Sequence, residues 1–183
     1  MTWNDVTLKQ FMLYRDLSTI TDNISFAIQV LIIFDNLTIE QIDKLTVAEI
    51  KERMRRLSFL NVEPMPDDKM PAFNSGDYKF TPLPLIERME TKRYLDYKAI
   101  IKSLENDGDI EDHDLIMNQH KLLACFLMCD DLPYDNAVYA EHALNMPLPT
   151  ALGMAGFFLR TWQGLQPIIA EELHLAVQRV TSG

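Results

Sequence analysis

Five prolines crowded into residues 61–85, Pro64, Pro66, Pro71, Pro82 and Pro84, constrain the fold more than any other feature of this chain. A proline has no backbone N–H to give and its ring collides with the preceding helical turn, so this stretch excludes a regular helix. The turn signal Asn74-Ser75-Gly76-Asp77 lies inside it. Asp77-Tyr78-Lys79-Phe80-Thr81 reads as a short strand whose partner falls near 71–74, which would make a small hairpin. The alternative is an extended linker without pairing.

On the N-terminal side of the prolines the signals are helical. Thr7-Leu8-Lys9-Gln10, Thr38-Ile39-Glu40-Gln41 and Thr46-Val47-Ala48-Glu49 each fit a capping box, in which a Thr and the Glu or Gln three residues later satisfy exposed amides reciprocally. Ile24, Ile28, Leu31 and Ile32 recur at helical spacing after Asp22, predicting a further helix to about Phe34 that is apolar enough to be central. On the C-terminal side, Tyr94, Tyr97, Ile100, Ile101 and Leu104 form one apolar stripe from about Thr91, ended by Asn106-Asp107-Gly108-Asp109. Further helices are expected from near Asp112 to Met128, from about Asp135 to Asn145, from Pro149 through Trp162 and from Pro167 to Val180. Pro149 and Pro167 suit first-turn positions, where a missing amide costs nothing. The expected fold is therefore mainly α, a multi-helix bundle. Its parts are an N-terminal helical segment (1–60), a proline-rich linker or hairpin (61–90) and a C-terminal helical segment (91–183), sharing one compact domain.

Charge and cysteine usage narrow the function classes. The formal net charge of −10 opposes sequence-independent nucleic-acid binding, which needs Lys and Arg to neutralise phosphates. Lys51, Arg53, Arg55 and Arg56 form the one basic cluster and read as the solvated, dipole-favoured end of a helix; an acidic-partner or phosphate site is the competing reading. The N-terminus lacks the basic-then-apolar pattern of a secretory signal, and the apolar runs 27–34 and 151–159 are too short to span a bilayer, so the cytosol or an assembled particle is the expected location. Cys125 and Cys129 sit in an apolar run and are expected to be buried and reduced.

Each motif that suggests chemistry is incomplete. In the run Asp107 to Asp114 oxygens alternate as in a calcium loop, but position six is Asp112 rather than Gly and position twelve is Asn118 rather than Glu. His120, Cys125 and Cys129 offer three soft ligands without a fourth. Glu171 and His174 form a single Glu-x-x-His pair, where di-iron bundles use two. Nucleophile elbows, glycine-rich phosphate loops and His-Glu-x-x-His are missing from the sequence. No cofactor, catalytic residue or metal ligand is therefore assigned.

A binding role has a better basis. Nine uncharged residues, Ala151 to Leu159, open one predicted helix and exceed what one face of a solvated helix holds. Phe157, Phe158 and Trp162 are consequently the candidate partner-binding residues, with a core contact as the alternative; aromatic side chains dominate binding hot spots.

The stretches Thr2 to Phe11, Leu37 to Leu45, Arg93-Tyr94-Leu95-Asp96 and Ala151 to Leu159 together resemble a group of small tailed-bacteriophage proteins, including those of phages of gut Bacteroidales, described as tail assembly chaperones or virion components. The resemblance implies a non-enzymatic protein of virion assembly, most simply a tail assembly chaperone, whose partner is another phage structural protein. A minor virion or ejected cargo protein is the alternative within that biology, self-association into a homo-oligomer is compatible with both, and a small helical metal-dependent enzyme is the alternative outside it. The matching stretches are capping and packing positions, so the resemblance transfers no functional residue.

Overall fold

The computed structural model describes residues 1–83, 89–105 and 111–157. Four helices form the N-terminal region: α1 (Leu8–Asp16), α2 (Asn23–Asp35), α3 (Ile39–Ile42) and α4 (Val47–Arg56). The three predicted capping boxes start α1, α3 and α4, with Thr7, Thr38 and Thr46 each accepting from the backbone amide three residues on. Asp22 caps α2 through the Ser25 amide at 2.7 Å, and hydrogen bonding from Ser25, its side chain first and its amide second, lowers the carboxyl pKa. The second half of α2 supplies the buried Val30, Leu31, Ile33 and Phe34, whereas Ile24 at its start is 71% exposed and does not join the central stripe expected of it. Asn36 ends α2 in the left-handed region at φ 53°, a conformation that asparagine tolerates. Arg53, Arg55 and Arg56 of the basic cluster lie in the last turn of α4, where Arg53 reaches Asp35 of α2 at 2.8 Å and Arg55 pairs with Glu52.

The proline-rich segment does form a hairpin, β1 (Phe73–Ser75) antiparallel to β2 (Tyr78–Pro82). Gly76 takes φ +60° at the first position of its two-residue loop, as in type II′ hairpin turns. A third strand, β3 (Leu127–Met128), pairs with Thr81 and Pro82.

That strand corrects the helix expected to run on to Met128. The helix α6 (Asp112–Ala124) stops four residues earlier, and Cys125 caps it. Residues 122–128 are uninterruptedly apolar, and a helix continued through them would need an apolar environment on every side. The chain instead turns, burying Phe126 and Leu127 while their backbones pair with Leu83 and Pro82. The remaining α-helices among the described residues are α5 (Thr91–Leu104), α7 (Asn136–Ala143) and α8, the helix whose described part is residues 148–157. The predicted helix from Pro167 to Val180 lies outside the described residues.

One hydrophobic core unites these elements, from Val6 and Leu8 through Phe80 and Tyr139 to Met154. It is closed by backbone pairing between the ends of the described chain: the Leu8 amide donates to the Met146 carbonyl at 2.9 Å and the Leu148 amide to the Val6 carbonyl at 2.8 Å. The proline-rich segment is laid across this body and fastened at intervals. The Trp3 indole N–H donates to the Val62 carbonyl at 2.6 Å, and the Asp67 amide donates to the Pro149 carbonyl at 2.8 Å. A Cβ on Gly153 would collide with the Asp67 carbonyl, so glycine is what lets α8 approach this closely.

Candidate functional site

Four helices each turn an i, i+3 or i, i+4 pair toward a common cavity of about 360 Å³. On α1 the pair is Phe11 and Arg15, one turn apart and offset from the core-facing Leu8 and Met12. On α5 it is Tyr97 and Ile101, and on α8 it is Leu152 and Ala155. The longest wall is α6, whose Leu115, Ile116, Gln119, Leu122 and Leu123 follow one face over more than two turns, with Phe126 closing the end. Leu115, Ile116 and Leu152 stay half-buried, as side chains at a groove do, while Leu122, Leu123 and Phe126 are buried beneath them. The Tyr97 ring packs on Phe126 at 5.4 Å between centroids, and burial pushes its phenol pKa up.

Among the described residues, the only charged side chain in this lining is Arg15, exposed on α1, and the only other polar side chains are Gln119 and the Tyr97 phenol. Among the described residues this surface holds no nucleophile and no paired acid and base. It can exclude water from an apolar segment of matching shape, the mode by which an amphipathic helix binds in a groove.

Two other clusters hold reactive side-chain types, and their geometry ties them to structure. In the first, the Cys125 thiol donates to the Lys121 carbonyl at 3.6 Å and accepts from Asn136 Nδ2 at 3.2 Å. Tyr134 donates to Asp96 at 3.0 Å, and Arg93, only 6% exposed, lies 3.8 Å above the Tyr134 ring while donating to the Leu127 carbonyl at 2.6 Å. Burial pushes the Cys125 thiol up to about 11, so it stays protonated and unreactive at neutral pH. In the second, Ser75 Oγ contacts His142 Nδ1 and Asn145 Nδ2, both at 2.9 Å. Ser75 is 3% exposed, out of reach of a substrate, and the contact pins the hairpin tip to α7.

The residues singled out from sequence are distributed differently. Phe157 is half-buried and packs on the core at the end of the described part of α8; Phe158 and Trp162 lie outside the described residues. Cys125 is buried as expected, but Cys129 is only partly covered because it follows β3 instead of facing inward from a helix; neither is in a disulfide. His120 is half-buried on α6, where burial lowers its pKa. Among the described residues no three His, Cys, Asp or Glu side chains come together as a metal-binding group. Glu171, His174 and the first part of the acidic run, Asp107 to Ile110, lie outside them. No described helix is long and apolar enough to cross a membrane. None of the groove residues was singled out from sequence as a binding residue; Tyr97 and Ile101 were legible only as part of an apolar stripe, and Leu152 and Ala155 only as members of the uncharged run 151–159.

Compared with protein-family models, with curated proteins and with solved structures, the chain matches none.

Proposed function

We propose that this protein is a non-enzymatic assembly factor of a tailed bacteriophage, a tail assembly chaperone that holds an apolar helical segment of another virion polypeptide. The observation that carries this reading is the groove between α1, α5, α6 and α8, with its nearly unbroken apolar lining. Groove binding of this kind draws on apolar side chains spaced i, i+3, i+4 and i+7 on the guest helix. The net charge of −10 would keep such a complex soluble while its apolar surfaces are being traded.

Affinity capture of the tagged full-length protein from phage-infected cells tests the reading. A virion polypeptide should be recovered with the wild type, and Ile116→Arg, which places a charge on the half-buried α6 wall, should lower that recovery by about tenfold or more with the fold retained. Equal recovery by both would overturn the groove as the client site. Mass spectrometry of purified particles then separates a chaperone, absent from them, from a minor virion or cargo protein, which remains inside.

A further inference from the structure

The groove between α1, α5, α6 and α8 differs from a bare apolar face in its volume and in the polar groups of its lining. An apolar cavity of about 150 Å³ takes up benzene, at about 25 Å³ per carbon, so about 360 Å³ holds a chain of about fourteen carbons. The α6 residues from Leu115 to Leu123 line it over about 12 Å of helix axis, so the space is drawn out along that helix. A helix laid along it would put only side chains into this volume, whereas a single aliphatic chain is thin enough to enter whole. The polar groups, for their part, are unengaged. Among the described residues Arg15 takes part in no ion pair and the Gln119 side chain in no hydrogen bond. A guanidinium presents its donors in a planar fork that fits a carboxylate, and a carboxamide adds its own N–H groups. No carboxylate lines the cavity among the described residues, so nothing there repels an anion. Arg15 is exposed on the solvent side, while Leu122, Leu123 and Phe126 are buried at the floor, which separates a polar end from an apolar one.

We propose that the groove is a binding site for a straight-chain aliphatic monocarboxylate of about ten to fourteen carbons, its chain over Leu122, Leu123 and Phe126 and its carboxylate on Arg15 and Gln119. This site goes beyond the chaperone reading and does not rest on it.

The test is calorimetric titration of the full-length protein with octanoate, decanoate, dodecanoate and the uncharged decanol, each below the concentration at which it forms micelles. The carboxylates should bind one to one, with affinity rising about fourfold per added methylene. Arg15→Gln, a substitution at an exposed position, should weaken decanoate about fivefold and leave decanol unchanged. Ala155→Phe, which pushes a ring into the cavity from a half-buried position on α8, should weaken both by about tenfold or more. Melting temperatures report whether each variant keeps its fold, and the exposed Arg15 variant decides the matter if Ala155→Phe does not. No binding of decanoate or dodecanoate, binding of several molecules per chain, or equal affinity for decanoate in the wild type and Arg15→Gln would overturn the proposal. Dodecanoate bound one to one by a protein that recovers no virion polypeptide supports this site and removes the chaperone reading. A virion polypeptide recovered by a protein that binds no carboxylate does the reverse.

Discussion

Two regions of this molecule are buried by opposite means. Around Trp3 the packing is made of rings: Phe11, Tyr14 and Phe59 meet the indole edge to face at 5.1–6.4 Å, and Phe34 continues the layer. Its polar handle is the indole N–H, which Val62 satisfies. Around Arg93 the interior is polar, with a guanidinium, a thiol, two phenols and an amide satisfying one another between α5, β3 and α7. A ring layer loses stability in proportion to the area removed, because no atom in it depends on one particular partner. A buried polar seam fails in steps, because deleting one member leaves another desolvated and unpaired.

The sharpest test of that contrast is Arg93→Ala, which orphans the Leu127 carbonyl and removes the cation stacked on Tyr134. It should cost about 3 kcal/mol in denaturant unfolding. A loss below about 1 kcal/mol would mean that the seam is solvated and the contrast false. Alkaline pH probes the same seam. The Cys125 pKa is raised in the folded state, to about 11 from an ordinary value of 9.0, so its contribution is fully present below pH 9 and lost as pH rises through 11. Burial raises the phenols of Tyr97, Tyr134 and Tyr139 as well, with the same sign. Stability should therefore hold to about pH 9 and then fall, with about 2–3 kcal/mol of the loss abolished by Cys125→Ala.

Gly153→Ala addresses the contact that fastens the proline-rich segment to α8. The added methyl must push away the Asp67 backbone, and a loss of about 2 kcal/mol is expected in thermal or chemical unfolding. Trp3→Phe should have the smallest effect, about 1 kcal/mol, since the ring layer persists and the Val62 carbonyl loses a single donor. If it matched Arg93→Ala, the ring layer would be as brittle as the seam.

The two regions also differ in how far the sequence announces them. The starts of α1, α3 and α4 are written within four residues each, because a capping box is a local bargain between a Thr and the Glu or Gln three on. The hairpin is legible for a similar reason: Gly76 supplies the positive φ its turn requires. The end of α6 is not. Seven apolar residues, Leu122 to Met128, suit a buried helix and a buried strand alike. What decides between them is remote, the edge of β2 and the guanidinium of Arg93 taking the Leu127 carbonyl. The groove shares that dependence, since its walls are contributed by helices from residue 11 to residue 155 and no window of sequence contains more than part of it.

The backbone pairing between Val6–Leu8 and Met146–Leu148 has a consequence in time. These partners are about 140 residues apart, and at roughly 5–20 residues per second their meeting waits some 7–28 s after the first of them is synthesised. Until then the nascent N-terminal helices have their caps but lack their closing partner, and Val6 and Leu8, almost wholly buried in the finished fold, remain uncovered. A ribosome pause or truncation before residue 148 would therefore leave a helical but unsealed chain, with its apolar interior available to whatever polypeptide is nearby.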